Sequence, residues 1–426
     1  MNLRLTSPLP LLFFVALLLF TQSALVSGQQ TGRRAPLPSR NSRALPSVRF
    51  SVGQSSLKVP FELVGNLILM KAQVNDSAPL WFIFDTGATH TVVDAERAKT
   101  LGLKARGRIT ATGSAGTDIA SRVRGVSVSL PGVELTNQTV YTLPVAFLSP
   151  LFGRHLGGVI GNDIIGKFVV EIDYANQKLN FYEPSSYQYS GSGESIPLTI
   201  EKDGNVFTRA QVELEGRAPL TGKFEVDIGS TGSLELNTPF VKKHRLLSFI
   251  SRSKQVNLGG IGGTAGAVTA RINSVRLGRF ELMNPIARFS QATKGDYASA
   301  RYDGLLGGQI FSRFKMIVDL SRRRMILEPN ALISAPFEDD MSGIELAGDG
   351  EDFSAYVINE VEAGSPAAEA GIQGEDILTA IDGRTASEFT LEEIRRMFKQ
   401  NGREYALTLK RGEKMIEVKL KLRRLV

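Results

Sequence analysis

The chain has 426 residues, more than one hydrophobic core usually supports, so two or three domains are expected. It has no cysteine, which excludes disulfides, thiol nucleophiles, cysteine-held metals and a lipidated cysteine. The net charge of +7 gathers in Arg33, Arg34, Arg40, Arg43 and Arg49 and in residues 410–424, with no basic face studded by aromatic side chains, so nucleic acid is not an expected partner.

In chain order, Arg4 precedes an apolar run at 11–20 and small or polar residues through Val26, Ser27 and Gly28. This pattern predicts a secretory signal peptide over 1–28 and an exported protein, periplasmic or secreted. The run is short for a bilayer, so no stable membrane span is expected after cleavage; an uncleaved N-terminal anchor is the alternative. Residues 29–57, rich in Arg, Pro, Ser and Gln, read as a flexible basic linker without packed structure. Short runs of Val, Ile, Leu and Thr, together with 42 glycines, then predict a mainly β chain rich in turns.

From Val59 onward the sequence repeats itself. Val59-Pro60-Phe61, an alternating segment at 67–74, a turn at Asn75-Asp76 and the run Trp81 to Phe84 lead into Asp85. Ile196-Pro197-Leu198, an alternating segment at 206–214 and Phe224-Glu225-Val226 lead in the same way into Asp227. Each copy continues to a Gly-apolar-apolar-Gly segment, 158–161 and 304–307, followed by two strand patterns with a turn between them. Asp85 to Gly161 and Asp227 to Gly307 are separated by 76 and 80 residues, a correspondence that chance rarely gives at both ends. Between these landmarks lie glycine-rich stretches at 113–116 and 259–266. Neither has the Lys-Ser/Thr of a phosphate loop, so mobile hairpin tips are expected there. The repeats are bounded as 58–190 and 191–336, and a third domain as 341–426.

Asp85-Thr86-Gly87-Ala88 resembles the active-site loop of retropepsin-like aspartic peptidases and their bacterial relatives, and Asp227-Ile228-Gly229-Ser230 resembles its second copy. The resemblance covers roughly 58–335. It implies two pseudo-symmetric β-barrel lobes forming one cleft, with Asp85 and Asp227 as the catalytic pair and Ile160, Gly161, Leu306 and Gly307 packed behind the loops. A single chain with two lobes is then expected to act as a monomer. Cleaving an amide without a metal or covalent intermediate requires a base for the water and an acid for the carbonyl oxygen, which two carboxylates sharing one proton supply. No cofactor or metal is therefore expected, and His90, His155 and His244 show no metal-ligand spacing.

Two departures from symmetry carry expectations. In the family each loop threonine bonds across to the opposite loop; Thr86 can do this and Ile228 cannot, so lopsided support is expected. Ser230, unlike Ala88, carries a hydroxyl expected to bond its own Asp227 and favour its ionised form, leaving the shared proton more often on Asp85.

Residues 364–372, with Asp376-Ile377-Leu378 and Ile381-Asp382-Gly383, resemble the signature of bacterial PDZ domains, a small α+β fold. The resemblance implies that Gly343, Ile344, Glu345 and Leu346 receive a peptide C-terminus or extended segment. Glu375 stands where that family has glycine, so a slightly different turn is expected. Together these features predict an aspartic endopeptidase acting on proteins or peptides, with a PDZ domain for recognition. A catalytically inactive peptide-binding scaffold is the alternative, and a cleft-covering pro-segment is an alternative role for 29–57.

Overall fold

The computed structural model describes residues 11–13, 19–21 and 45–426; most of the expected signal peptide and the first part of the expected linker lie outside them. The described chain is mainly β, with several sheets and a β-rich PDZ-like region at its C-terminal end. Among the described residues no helix is long and apolar enough to cross a membrane.

The sequence repeat is a repeat of topology. In the first copy the strand Leu80–Phe84 lies between Leu67–Val74, antiparallel, and Leu156–Ile160, parallel, and the latter continues to Val92–Asp94. In the second, Leu220–Asp227 lies between Val206–Glu213 and Gly304–Gly307, which continues to Leu234–Leu236, with the same directions. Period-two alternation explains the packing: Phe82, Phe84, Phe224 and Val226 turn into one shared core, while Ile83 lies in a second cluster on the opposite face.

A six-stranded sheet joins the copies. At its centre Val169–Asp173 runs antiparallel to Phe314–Asp319, each flanked by its own hairpin partner, Lys178–Tyr182 and Arg324–Pro329. Aromatic residues Phe168, Phe181 and Phe314 fill the space beneath. This joint fixes the relative position of the two aspartate strands.

The linker expectation needs correction over its last part. Ser47–Phe50 pairs with Val133 to Thr136, and Ser55–Pro60 pairs with Lys178–Tyr182, so packed structure begins before Val59. Val48 and Phe50 reach the core, a contribution that polar neighbours concealed in the sequence. The glycine-rich stretches are the turns of two hairpins, Arg106–Gly113 with Gly116–Leu130 and Lys254–Gly260 with Gly263–Arg271. Their tips meet: a Cβ on Gly116 would lie 2.4 Å from the carbonyl oxygen of Gly262, so only glycine fits. The described segments Leu11–Phe13 and Leu19–Thr21 pair with the edges of Lys254–Gly260 and Arg106–Gly113 respectively.

The C-terminal sheet runs Ile344–Asp349, Ala355–Val361, Ile377–Ile381, Glu404–Arg411, Lys414–Lys421, around its own core of Leu346, Ile358, Ile394 and Leu407. Glu375 adopts φ +70, so the turn keeps a glycine-like backbone rather than the altered one expected, and its N–H bonds Ile358 O at 2.7 Å. Next to it Asp376 is clamped by Arg411 through contacts of 2.6 and 2.7 Å.

At the end of the central joint, the buried Asp319 accepts from Ser321, Arg322 and Arg324. Burial alone would raise its carboxyl, but these bonds prevail and hold it below the usual range. A depressed folded pKa stabilises above the unfolded value of about 3.9 and the benefit is lost as pH falls through the folded one. Asp319→Asn is expected to cost about 2 kcal/mol at pH 7, with the gap from wild type closing in acid. Urea denaturation at both pH values measures this; an equal gap at both would contradict it.

Candidate active site

Each aspartate ends a buried strand and begins a tight loop that faces the other copy. Asp85 and Asp227 are 1% and 0% exposed, and their carboxyl groups lie within hydrogen-bonding reach of each other. Gly87 N–H donates to Asp85 Oδ1 at 2.7 Å, and Gly229 N–H donates to Asp227 Oδ1 at 2.8 Å. The glycines lie under the opposite carboxylates. A Cβ on Gly87 would fall 2.5 Å from Asp227 Oδ1, and one on Gly229 would fall 2.1 Å from Asp85 Cγ.

Thr86 makes the bridge between loops. Its hydroxyl donates to Val226 O at 2.6 Å and accepts from Ile228 N–H at 3.1 Å. Ile228 is buried in the shared core, so the second loop contributes packing and backbone groups and the first contributes the side chain. Behind them Ile160 and Leu306 are fully buried in the same core, and Ile160 O accepts from Asp85 N–H at 3.0 Å. Gly161 and Gly307 sit against the backbones of His90 and Gly232, where a Cβ would come within 2.6 and 2.3 Å. Ala88 O accepts from Asn162 N–H at 2.8 Å, and Asn162 Nδ2 donates to Thr86 O at 2.7 Å.

The expectation for Ser230 is overturned. Its hydroxyl donates to Glu235 Oε1 at 2.8 Å, because Glu235 reaches back from the strand Leu234–Leu236. Glu235 is also 3.6 Å from Arg288 Nη1. The proton preference is reversed with it. Burial pushes Asp85 up to about 6, against the lowering effect of the Gly87 N–H bond and others. Burial raises Asp227 well above the carboxylate range, and the Asp85, Glu225 and Glu235 carboxyls raise it further. These effects favour the proton on Asp227, in the lobe with two extra acids.

Asn162, Glu225, Glu235 and Arg288 were not singled out from sequence. The available signal was a charged residue at an apolar-strand position: Glu225 within Phe224-Glu225-Val226, and Glu235 within Leu234-Glu235-Leu236. The histidines do not meet: His90 stacks on Tyr141, His155 contacts Glu351 O and His244 contacts Arg217. Among the described residues no group of three or more His, Asp or Glu side chains could hold a metal.

The loop at 343–346 lies between the C-terminal domain and the lobes. Gly343 N–H donates to Asp340 Oδ1 at 2.6 Å and Ile344 N–H to Ser342 Oγ at 3.0 Å. Glu345 is pushed up to about 7 by burial, and Leu346 O accepts from Arg395 at 2.9 Å. Ile344–Asp349 is the terminal strand of its sheet, with the lobe-1 segment Ser149–Phe152 packed against it; Arg395 also donates to Leu151 O at 2.7 Å.

Comparison with known families decides what these two parts are. Residues 70–164 match the model of an aspartyl protease family, and residues 357–411 match that of a PDZ domain. The chain carries an aspartyl protease domain and a PDZ domain. The aspartyl protease match contains Asp85 and its loop, and the second aspartate loop follows it in the repeated topology. Comparison with curated proteins gives no match. A solved structure of a photosystem II D1 C-terminal processing protease is similar to part of the chain, at 19% identity with a TM-score of 0.19. That likeness covers 21% of this chain and 24% of the solved one.

Replacing Thr86 by Val removes both cross-loop bonds and strands a buried carbonyl and a buried N–H. The expected loss of stability is roughly 2–4 kcal/mol, with Thr86→Ser retaining most of it. Thermal or urea denaturation of the two variants tests the bridge; equal destabilisation would rule it out.

Proposed function

We propose that this chain is an aspartic endopeptidase that hydrolyses peptide bonds with a water activated between Asp85 and Asp227. The observation that carries this reading is the meeting of the two carboxyl groups, delivered by two copies of one strand-and-loop unit. Carboxylates about 3 Å apart cannot both ionise, the general behaviour of aspartic peptidase dyads. Asp85, more readily ionised, takes a proton from the water as it attacks the scissile carbonyl. Asp227, holding the shared proton, gives it to the carbonyl oxygen. The Gly87 and Gly229 N–H groups keep each carboxyl aimed at the other, and the titration belongs to the pair.

The substrate lies extended beneath the two hairpin tips. The edges of both hairpins accept extended chain, since Leu11–Phe13 and Leu19–Thr21 already pair with them. Recognition of further peptide at the PDZ domain uses Gly343, Ile344, Glu345 and Leu346 and the outer edge of Ile344–Asp349. There an incoming strand has to displace the Arg395 and Leu151 contacts. The protein is exported after removal of 1–28 and works as a monomer, since one chain supplies both loops. A non-catalytic scaffold draws its sequence support from Ile228, whose N–H is nonetheless bonded by Thr86.

Asp85→Asn and Asp227→Asn are each expected to lower cleavage of a denatured protein by roughly a thousandfold or more while leaving the fold intact, as general acid–base roles require. Activity should rise with pH through about 6, as the pair loses its first proton, and fall as it loses the second. Full activity in either Asn variant would refute the assignment, whereas an optimum below pH 4 would refute only the raised titration of the pair.

A further inference from the structure

The two lobes differ in the row of side chains that crosses the sheet two residues before the aspartates. In lobe 1 the paired residues Val92, Val159 and Ile83 form an apolar row. Their lobe-2 counterparts are Glu235, Leu305 and Glu225. Alternation puts Glu225 on the same face of its strand as Asp227, with Phe224 and Val226 turned into the core behind. Leu305, its neighbour across the sheet, shares a buried cluster with Tyr297 and with Ala115 from the first hairpin tip.

The two glutamates are held differently. Glu235 is engaged by Ser230 and Arg288. Glu225 is fully buried, and neither carboxyl oxygen has a hydrogen-bond partner among the described residues. Its other neighbours do not neutralise it. Asp296, also buried, has an unpartnered Oδ2. Arg301, the cation whose charge reaches Glu225, is committed to Glu201 and Asp203 at 2.5 and 2.8 Å. Phe207, opposite Glu225 on the adjacent strand, packs against Tyr302 with ring centroids 5.2 Å apart. An unpaired buried carboxyl beside aromatic rings is costly to keep unless something enters to meet it.

We infer that Glu225 forms the floor of a specificity pocket on the lobe-2 side of the cleft, taking the ammonium or guanidinium of a substrate lysine or arginine next to the scissile bond. The inference rests on the peptidase reading and adds the substrate class. Empty, the site holds Glu225 neutral: burial raises its carboxyl well above the usual range, with Asp296 and Asp85 adding to the effect. A bound cation stabilises the carboxylate, and the proton leaves to solvent. An apolar side chain in the same place leaves the carboxyl unpaired and is selected against. Lobe 1, with Ile83 at the equivalent place, offers an apolar pocket on the other side of the scissile bond.

The test is digestion of a peptide library by the full chain, with cleavage sites read by mass spectrometry. It is followed by kcat/KM for two peptides differing only in Lys against Leu at the selected position. Wild type is expected to cut with Lys or Arg enriched at one residue flanking the cleaved bond. In Glu225→Gln the Lys-over-Leu ratio should fall by about tenfold or more, as loss of one desolvated charge pair implies, and in Glu225→Leu it should invert. A purely structural role would lower both peptides together and leave the ratio intact, which would overturn the inference. Cleavage by wild type without basic enrichment overturns it too and leaves the peptidase reading standing. If wild type cuts no peptide in the library, the peptidase reading itself is wrong. Should both variants fail to fold, the wild-type enrichment alone decides.

Discussion

Two loops can bring carboxyl groups together only where no side chain stands between them, and that steric condition governs the centre of this molecule. The positions after Thr86 and Ile228 lie beneath the opposing aspartates at distances where a methyl group would overlap a carboxyl. Glycine at both positions is therefore a requirement of the approach, independent of loop conformation. The approach itself brings two acids out of water side by side, which is unfavourable unless one of them keeps a proton. The surrounding β structure has to supply the difference. It does so through the central six-stranded sheet, which locks the two copies, and through Thr86, which ties the backbone of one loop to the other.

Much of this was legible because it is written twice. A lone Asp-Thr-Gly is a common surface turn, whereas two aspartates, each followed at similar distance by Gly-apolar-apolar-Gly, define strands, their neighbours and the meeting of the loops. Period two then assigns Phe82, Phe84, Phe224 and Val226 to the core. What stayed hidden depended on contacts between segments remote in sequence. Ser230 looked like a partner for its own aspartate until Glu235, five residues on, was found bonded to it. The strand at Ser47–Phe50 looked like linker because its two core-facing residues alternate with polar ones and its partner lies more than eighty residues away. The shielding of the 343–346 loop by Asp340, Ser342 and Arg395 was equally unreadable, since Arg395 comes from a helix some fifty residues downstream.

The same remoteness explains why the proton preference reversed. In the sequence one hydroxyl stands against one methyl, Ser230 against Ala88. The folded site weighs carboxyls against one another, and lobe 2 brings Glu225 and Glu235 close to Asp227 while lobe 1 offers Ile83 and Val92 at the matching positions. Burial in a dry site among other acids outweighs a hydrogen bond that turns out to be used elsewhere.

That imbalance is open to a chain containing both lobes and closed to a symmetric dimer. In a two-fold dimer of identical subunits every substitution appears on both sides of the axis, so an acid that favours the proton on one aspartate favours it equally on the other. With the lobes encoded separately, Thr86 can carry the bridge alone while Ile228 packs, and two glutamates can be confined to one wall of the cleft. The two carboxyls then sit in unequal surroundings, Asp227 near two further acids and Asp85 in the lobe with apolar residues at the matching positions. Departures from the internal repeat, more than the repeat itself, therefore make the two halves of the site chemically distinct.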